Sequence, residues 1–109
     1  MTLNIIHSGG FTIIQVDGHL NTLNAADFET QVMGLIDRGD MKLIIDCSKL
    51  SYISSSGLRL FLLAQKKLQA NKGLLKLCCL QPSIHEIFDM SWFTQIFLIE
   101  TTLKASLTS

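Results

Sequence analysis

The sequence carries no excess of either charge: lysine plus arginine and aspartate plus glutamate number nine each, for a formal net charge of zero. That balance excludes a nucleic-acid binder steered by its overall field, and the lack of a polybasic stretch leaves nothing to draw the chain onto anionic lipid. Long apolar runs are missing too. The longest, LIID and LFLLA, fall far short of the roughly 20 residues that cross a bilayer, so no direct membrane insertion is expected. The opening MTLNIIHSGG lacks the basic start and long apolar stretch of a signal peptide. Cysteine is scarce, with three residues at 47, 78 and 79. An odd count with two adjacent residues makes no disulfide framework and no zinc spacing. On a strand, Cys78 and Cys79 would face opposite sides and could not converge on one metal. The expectation is therefore reduced, packed thiols in a cytoplasmic protein, with no metal and no cofactor. Linkers, repeats and low-complexity stretches are also absent, so residues 1–109 read as one domain.

What the sequence does have is core material: 48% of its residues are apolar and only 17% charged, which argues against a disordered adaptor. LNIIHS and FTIIQVDG flank a glycine pair and read as an opening hairpin. The second strand is apolar on both faces and should lie inside a sheet. A helix follows, with Asn24 as N-cap and Asp27 completing a capping box. Phe28, Val32, Leu35 and Ile36 form its apolar face, and Gly39 closes it. MKLIIDC reads as a buried central strand and SKLSYISSS as the loop after it. The next helix, GLRLFLLAQKKLQANKG, has Leu58, Phe61, Leu62 and Leu68 as its stripe. Arg59, Gln65, Lys66 and Gln69 are polar, and Asn71 and Gly73 supply the stop. LLKLCCL is another buried strand; Pro82 opens a short helix, PSIHEIFDM. TQIFLIE is the last strand, and TTLKASLTS a terminal helix or frayed tail. The predicted order is β-β-α-β-α-β-α-β-α: an α/β fold with a mixed, mainly parallel sheet and helices packed on it.

The stretch YISSSGLRLFL sets three serines and a glycine in front of a helix. A catalytic serine needs a base, an orienting group and oxyanion donors. No G-x-S-x-G elbow surrounds these serines, and His7, His19 and His85 read as strand, turn and helix-surface residues. No phosphate-loop pattern is present either, since Gly57 stands alone. A helix start with hydroxyls can still hold an anion. Capping needs only one serine, worth about 1 kcal/mol over alanine, so Ser54, Ser55 and Ser56 are more than a cap requires. The fourth reading is covalent switching. A phosphoryl group would add about −1.5 to −2 charges at the positive end of a helix dipole, which the fold should tolerate and a docked partner need not. On the residues alone, capping accounts for the stretch slightly better than the other three readings.

IIDCSKLSYISSSGLRLFLLAQKKL resembles the core signature of the STAS domain, the fold of bacterial anti-sigma factor antagonists. The likeness lies in an apolar strand ending in Asp46 and Ser48, a short loop, and Ser-Ser-x-Gly-Leu opening a helix. VDGHLNTLNAADFE is similar to the family's G-x-L-(D)-x stretch, and LCCLQPSIHEIFDMSWFTQIF to its passage from strand through proline and short helix to strand. The resemblance implies a non-enzymatic anti-sigma factor antagonist. It would bind an anti-sigma factor that is itself a serine kinase and leave when one serine is phosphorylated; a phosphatase would reset it. Carried over by position, the acceptor is Ser55, with Ser54 and Ser56 as alternatives. The implied partner-binding residues are Gly18, His19, Asn21, Ser54, Ser55, Ser56, Gly57 and Arg59. Ser54 departs from the family's aspartate, Asn21 from another, and Trp92 stands where glycine is usual; packing is the expected role of Trp92. The free chain is expected to be a monomer or weak homodimer. The alternative is a STAS module in another signalling, transport-associated or small-molecule-sensing complex.

Overall fold

The computed structural model describes residues 1–108. Phe11–Leu20 (β2), apolar on both faces, lies inside the sheet as expected. On one side it pairs antiparallel with the edge strand Thr2–Ser8 (β1), and on the other parallel with Lys42–Ile53 (β3). Leu74–Cys78 (β4) and Leu98–Glu100 (β5) continue the sheet in parallel, giving the order β1-β2-β3-β4-β5. The mixed, mainly parallel α/β fold read from the sequence is the one observed.

Three helices cover one face: Ala25–Asp37 (α1), Ser55–Ala70 (α2) and Pro82–Met90 (α3). Their apolar stripes meet the inward residues of β2, β3 and β4 in one core that includes Phe28, Val32, Leu35, Phe61, Leu68, Ile84 and Phe88. Phe61 sits between Phe28 and Phe88, with ring centroids 5.9 and 6.1 Å away. The opposite face carries a smaller cluster of Phe11, Ile13, Ile44 and Cys78, covered by Leu103 and Leu107 of the short helix Leu103–Thr108 (α4). That helix is the expected terminal one; Ser109 lies outside the described residues.

Several boundaries move. The strand predicted over MKLIIDC runs on to Ile53, through residues assigned to a loop. The last strand is shorter than TQIFLIE, because Phe93–Gln95 forms a 3-10 turn and only Leu98–Glu100 pairs. Gln65 is buried, not a surface residue: its amide donates to the Ile96 carbonyl at 3.1 Å and pins α2 to the turn before β5. Trp92 is 74% exposed, which corrects the packing role expected of it. Its left-handed backbone (φ 63°) turns the chain at the corner, while the neighbouring Phe93 joins the ring cluster with Phe88 and Phe97.

Helix ends are set by specific residues. At Gly39 (φ 100°) the chain closes α1 as predicted: Gly39 N–H reaches the Ile36 carbonyl and Asp40 N–H the Leu35 carbonyl, both at 3.0 Å. At the end of α2 the same left-handed position is held by Lys72 (φ 61°), one residue before the expected Gly73. Gly73 is needed for a different reason: a Cβ there would lie 2.6 Å from the Met41 carbonyl oxygen. A non-glycine residue in this conformation carries about 1–2 kcal/mol of strain, of which the extra freedom of unfolded glycine takes back roughly half. Lys72→Gly should therefore raise stability by about 0.5–1 kcal/mol, seen as a Tm increase of a few degrees. A fall in Tm would show the strain argument to be wrong.

Candidate functional site

The parallel strands β2 and β3 end side by side, with His19 opposite Tyr52 and Leu20 opposite Ile53. The Ser54 N–H donates to the Leu20 carbonyl at 2.8 Å, so the mouth of α2 is fastened to the end of β2. The carboxyl ends of parallel strands are where folds of this class build sites.

The three serines separate cleanly. Ser54 is the N-cap: its hydroxyl accepts from Gly57 N–H at 3.2 Å, and it is 8% exposed. Ser56 is half-buried and lines a groove between α1 and α2. Ser55, the first helical residue, is exposed. Capping and an open hydroxyl thus belong to different serines. No acidic residue stands in the first turn of α2, so an anion on Ser55 would meet the positive helix end without a carboxylate beside it there.

Asn21 and Asn24 build the facing loop. Asn24 holds the N-cap position of α1 as predicted, but its side chain makes no capping bond there and no box with Asp27; it exchanges bonds with Asn21. The Asn21 side-chain oxygen accepts from Leu23 N–H at 3.0 Å and Asn24 N–H at 3.1 Å. In return the Asn24 side-chain oxygen accepts from Asn21 N–H at 2.9 Å. This is a reciprocal cap placed three residues earlier than expected. Asn21 needs only acceptor oxygen for it, so an asparagine serves here where the resemblance leads one to expect aspartate. The Asn24 amide also donates to the His19 carbonyl at 2.9 Å, tying the loop back to β2.

The predicted binding residues come together on this end of the sheet. Gly18 and His19 lie within β2, not in a turn; Gly18 (φ 106°) sits beside a register shift. His19 is exposed, and its ring lies tilted at 5.9 Å from that of the half-exposed Tyr52. Gly57 is buried against Leu20 and Ile53, beneath the exposed side chains of this end. Arg59 is exposed one turn after Ser55 and shares a 390 Å³ groove with Thr22, Ala25, Ala26, Glu29 and Ser56. His7 and His85 lie elsewhere, near Asp40 (3.9 Å) and Asp89 (3.1 Å).

The sequence reading missed Leu23 and Tyr52. Leu23, 94% exposed, stands in the loop bearing Asn21; Tyr52, 47% exposed, closes β3. Leu23 was detectable in principle, because it falls outside the stripe that Phe28, Val32 and Ile36 define. A large apolar side chain with no core to enter suggests a binding role.

Residues 2–106 match the STAS domain, and the chain belongs to that family. It is 35% identical over 106 residues to BtrV of Bordetella bronchiseptica, named among the anti-sigma factor antagonists, covering 97% of this chain and 91% of that one. A Thermotoga maritima protein described as an anti-sigma factor antagonist has the same fold: TM-score 0.93 at 18% identity, over 96% of this chain and 91% of that one. So does the Bacillus cell fate determinant SpoIIAA in its phosphorylated form, with TM-score 0.77 at 19% identity, over 97% and 96%. Among the described residues, no helix is long and apolar enough to cross a membrane.

Proposed function

We propose that this chain is an anti-sigma factor antagonist that acts by binding, with Ser55 as its switch. With a free hydroxyl at Ser55 it holds the anti-sigma factor; that factor, or an associated serine kinase, phosphorylates Ser55 and the complex separates. A phosphatase restores the hydroxyl. Family membership and the 35% identity to BtrV support the antagonist role. The observation that carries the switch is the division of labour among the serines: Ser54 is occupied by capping while Ser55 is open at the helix mouth.

The docking surface comprises Ser55, Arg59, the exposed His19 and Tyr52 rings, and Leu23. Asn21, Ser54 and Gly57 hold that surface in shape from within. A phosphoryl group adds about −1.5 to −2 charges on the first residue of α2. The helix dipole there accepts that charge, and Arg59 lies one turn on, so the fold is preserved. A partner seated over the same hydroxyl meets bulk, charge and a tightly held water shell, so the complex is lost while the domain stays intact.

The test is incubation with the cognate kinase and ATP, followed by mass mapping of wild type, Ser55→Ala and Ser54→Ala. Phosphate should map to Ser55, vanish in Ser55→Ala and persist in Ser54→Ala. Phosphate on another residue of wild type, or its persistence in Ser55→Ala, would overturn the assignment.

A further inference from the structure

On the α4 side of the sheet a polar row crosses the strands. Asn4, Gln15, Asp46, Cys78 and Glu100 are successive register partners on β1 to β5. The Asn4 amide donates to the Gln15 side-chain oxygen at 3.0 Å, and the Gln15 amide to Asp46 Oδ2 at 3.4 Å. Asp46 Oδ1 accepts from Ser48 N–H at 3.0 Å. Asp46 is 6% exposed, and among the described residues no lysine, arginine or histidine pairs with it. A buried carboxylate without a cation is costly.

Beside it stand two thiols. Cys78 was expected to point away from Cys79, but β4 ends at Cys78 and Cys79 takes a left-handed backbone (φ 64°). Its N–H donates to the Glu100 carbonyl at 3.1 Å. The turn out of the strand brings the Cys79 sulfur round to the same side. The Asp46 carboxylate and the Cys78 and Cys79 sulfurs lie within 4.8 Å of one another. This corrects the expectation that the two cysteines cannot converge. Cys47, by contrast, belongs to the core on the other face of β3.

We propose that Asp46, Cys78 and Cys79 form a site for a thiophilic divalent cation of the Zn²⁺ class. Bonds of about 2.3 Å to sulfur and about 2.0 Å to oxygen place tetrahedral ligand atoms roughly 3.3–3.8 Å apart. The three ligand atoms, all within 4.8 Å of one another, already lie near that spacing. Two thiolates and one carboxylate are a ligand set that selects a borderline-soft ion over Mg²⁺ or Ca²⁺. Gln15 and Ser48 N–H fix the carboxylate from behind, as outer-shell donors do in metal sites. A 330 Å³ cavity lined by Asn4, Gln15, Asp46 and Ser48 lies on the Gln15 side of the carboxylate, and on the thiol side the partly exposed Cys79 gives an ion its way in.

Binding displaces the protons of both thiols and leaves Asp46 ionised: one cation enters, two protons leave, and a water completes the fourth position. Burial, with the side-chain hydrogen bond to Cys79 next, pushes the Cys78 thiol up.

The test uses the reduced, whole chain with Co²⁺ as spectroscopic probe and Zn²⁺ as competitor. Wild type should show a thiolate-to-cobalt charge-transfer band, a Tm that rises with Zn²⁺, and release of about two protons per ion, read from calorimetry in buffers of different ionisation enthalpy. Cys79→Gly removes one thiol and suits the left-handed backbone, so it should fold well. It should lose the Zn²⁺-induced Tm rise and bind at least about 100-fold more weakly. Asp46→Asn should keep a weaker thiolate band and bind about 10–100-fold more weakly. Cys47→Ala should retain wild-type spectra. An absent band in wild type, or equal Zn²⁺ binding by wild type and Cys79→Gly, would overturn the site.

Discussion

Ser55→Asp should weaken binding to the anti-sigma factor by about 100-fold or more while the domain stays folded. The two readouts move apart because the same charge meets opposite surroundings. Inside the chain it sits on the first residue of α2, where no carboxylate stands in the first turn and the capping bond from Gly57 N–H to Ser54 is untouched. An acidic group there gains about 0.3–1 kcal/mol from the helix end, so Tm should hold or rise by up to about 5 °C. Across the interface the charge must be desolvated against a surface shaped for a neutral hydroxyl. A penalty of about 2.7 kcal/mol suffices for a 100-fold loss, within what a misplaced interfacial charge costs. Ser55→Ala removes the acceptor oxygen without adding charge. It should bind like unmodified wild type and stay bound in the presence of kinase and ATP. Binding titrations against the partner, with and without ATP, read both effects. Wild-type affinity in Ser55→Asp, with Tm unchanged, would refute the switch.

The elements of this fold were legible wherever local pattern and burial agree. Phe28, Val32, Leu35 and Ile36 repeat at helical spacing and all four are buried. Both faces of β2 are apolar, and it is an inner strand. The pattern fails where neighbours override it. β3 buries Cys47, Leu50 and Ile53 at intervals of three, because register shifts against β2 break the usual alternation, so SKLSYI looks like loop. Gln65 and Lys76 are polar side chains whose burial no local pattern shows. Gln65 is buried because the Ile96 carbonyl awaits its amide, and Lys76 because its ammonium donates to the Ser106 carbonyl at 2.9 Å. The serines show the limit at the site itself. Their spacing tells that one of them caps α2, but what selects Ser54 is the Leu20 carbonyl from a distant strand. Ser55 as the proposed acceptor was reachable from the family resemblance; the reason its side chain is open was not. Cys78 and Cys79 show the converse: alternation was assumed to continue one residue past the end of β4.

Gly57→Ala should lower stability by about 1–2 kcal/mol, although helix propensity alone predicts a gain. In an exposed helix, alanine is worth about 0.5–1 kcal/mol over glycine. At Gly57, however, an added Cβ would lie 2.8 Å from Ile53 Cγ1 and 2.9 Å from Leu20 Cγ. Both neighbours belong to buried residues at the ends of β3 and β2. They can yield only by moving the first turn of α2 away from the sheet, and overpacking of this kind costs about 1–3 kcal/mol. Packing wins over propensity, and Tm should fall by roughly 5–15 °C. The same displacement would stretch the Ser54 N–H bond to the Leu20 carbonyl and shift Ser55, so partner binding should weaken in step. Trimming the obstacle tests the cause. In a Leu20→Ala background, part of the added methyl fits the space released, so the cost of Gly57→Ala should shrink by at least about 0.5 kcal/mol. Thermal and denaturant melts of the four variants close the cycle. A Gly57→Ala protein as stable as wild type would mean that the clash does not govern this turn, and that the glycine is replaceable at the mouth of α2.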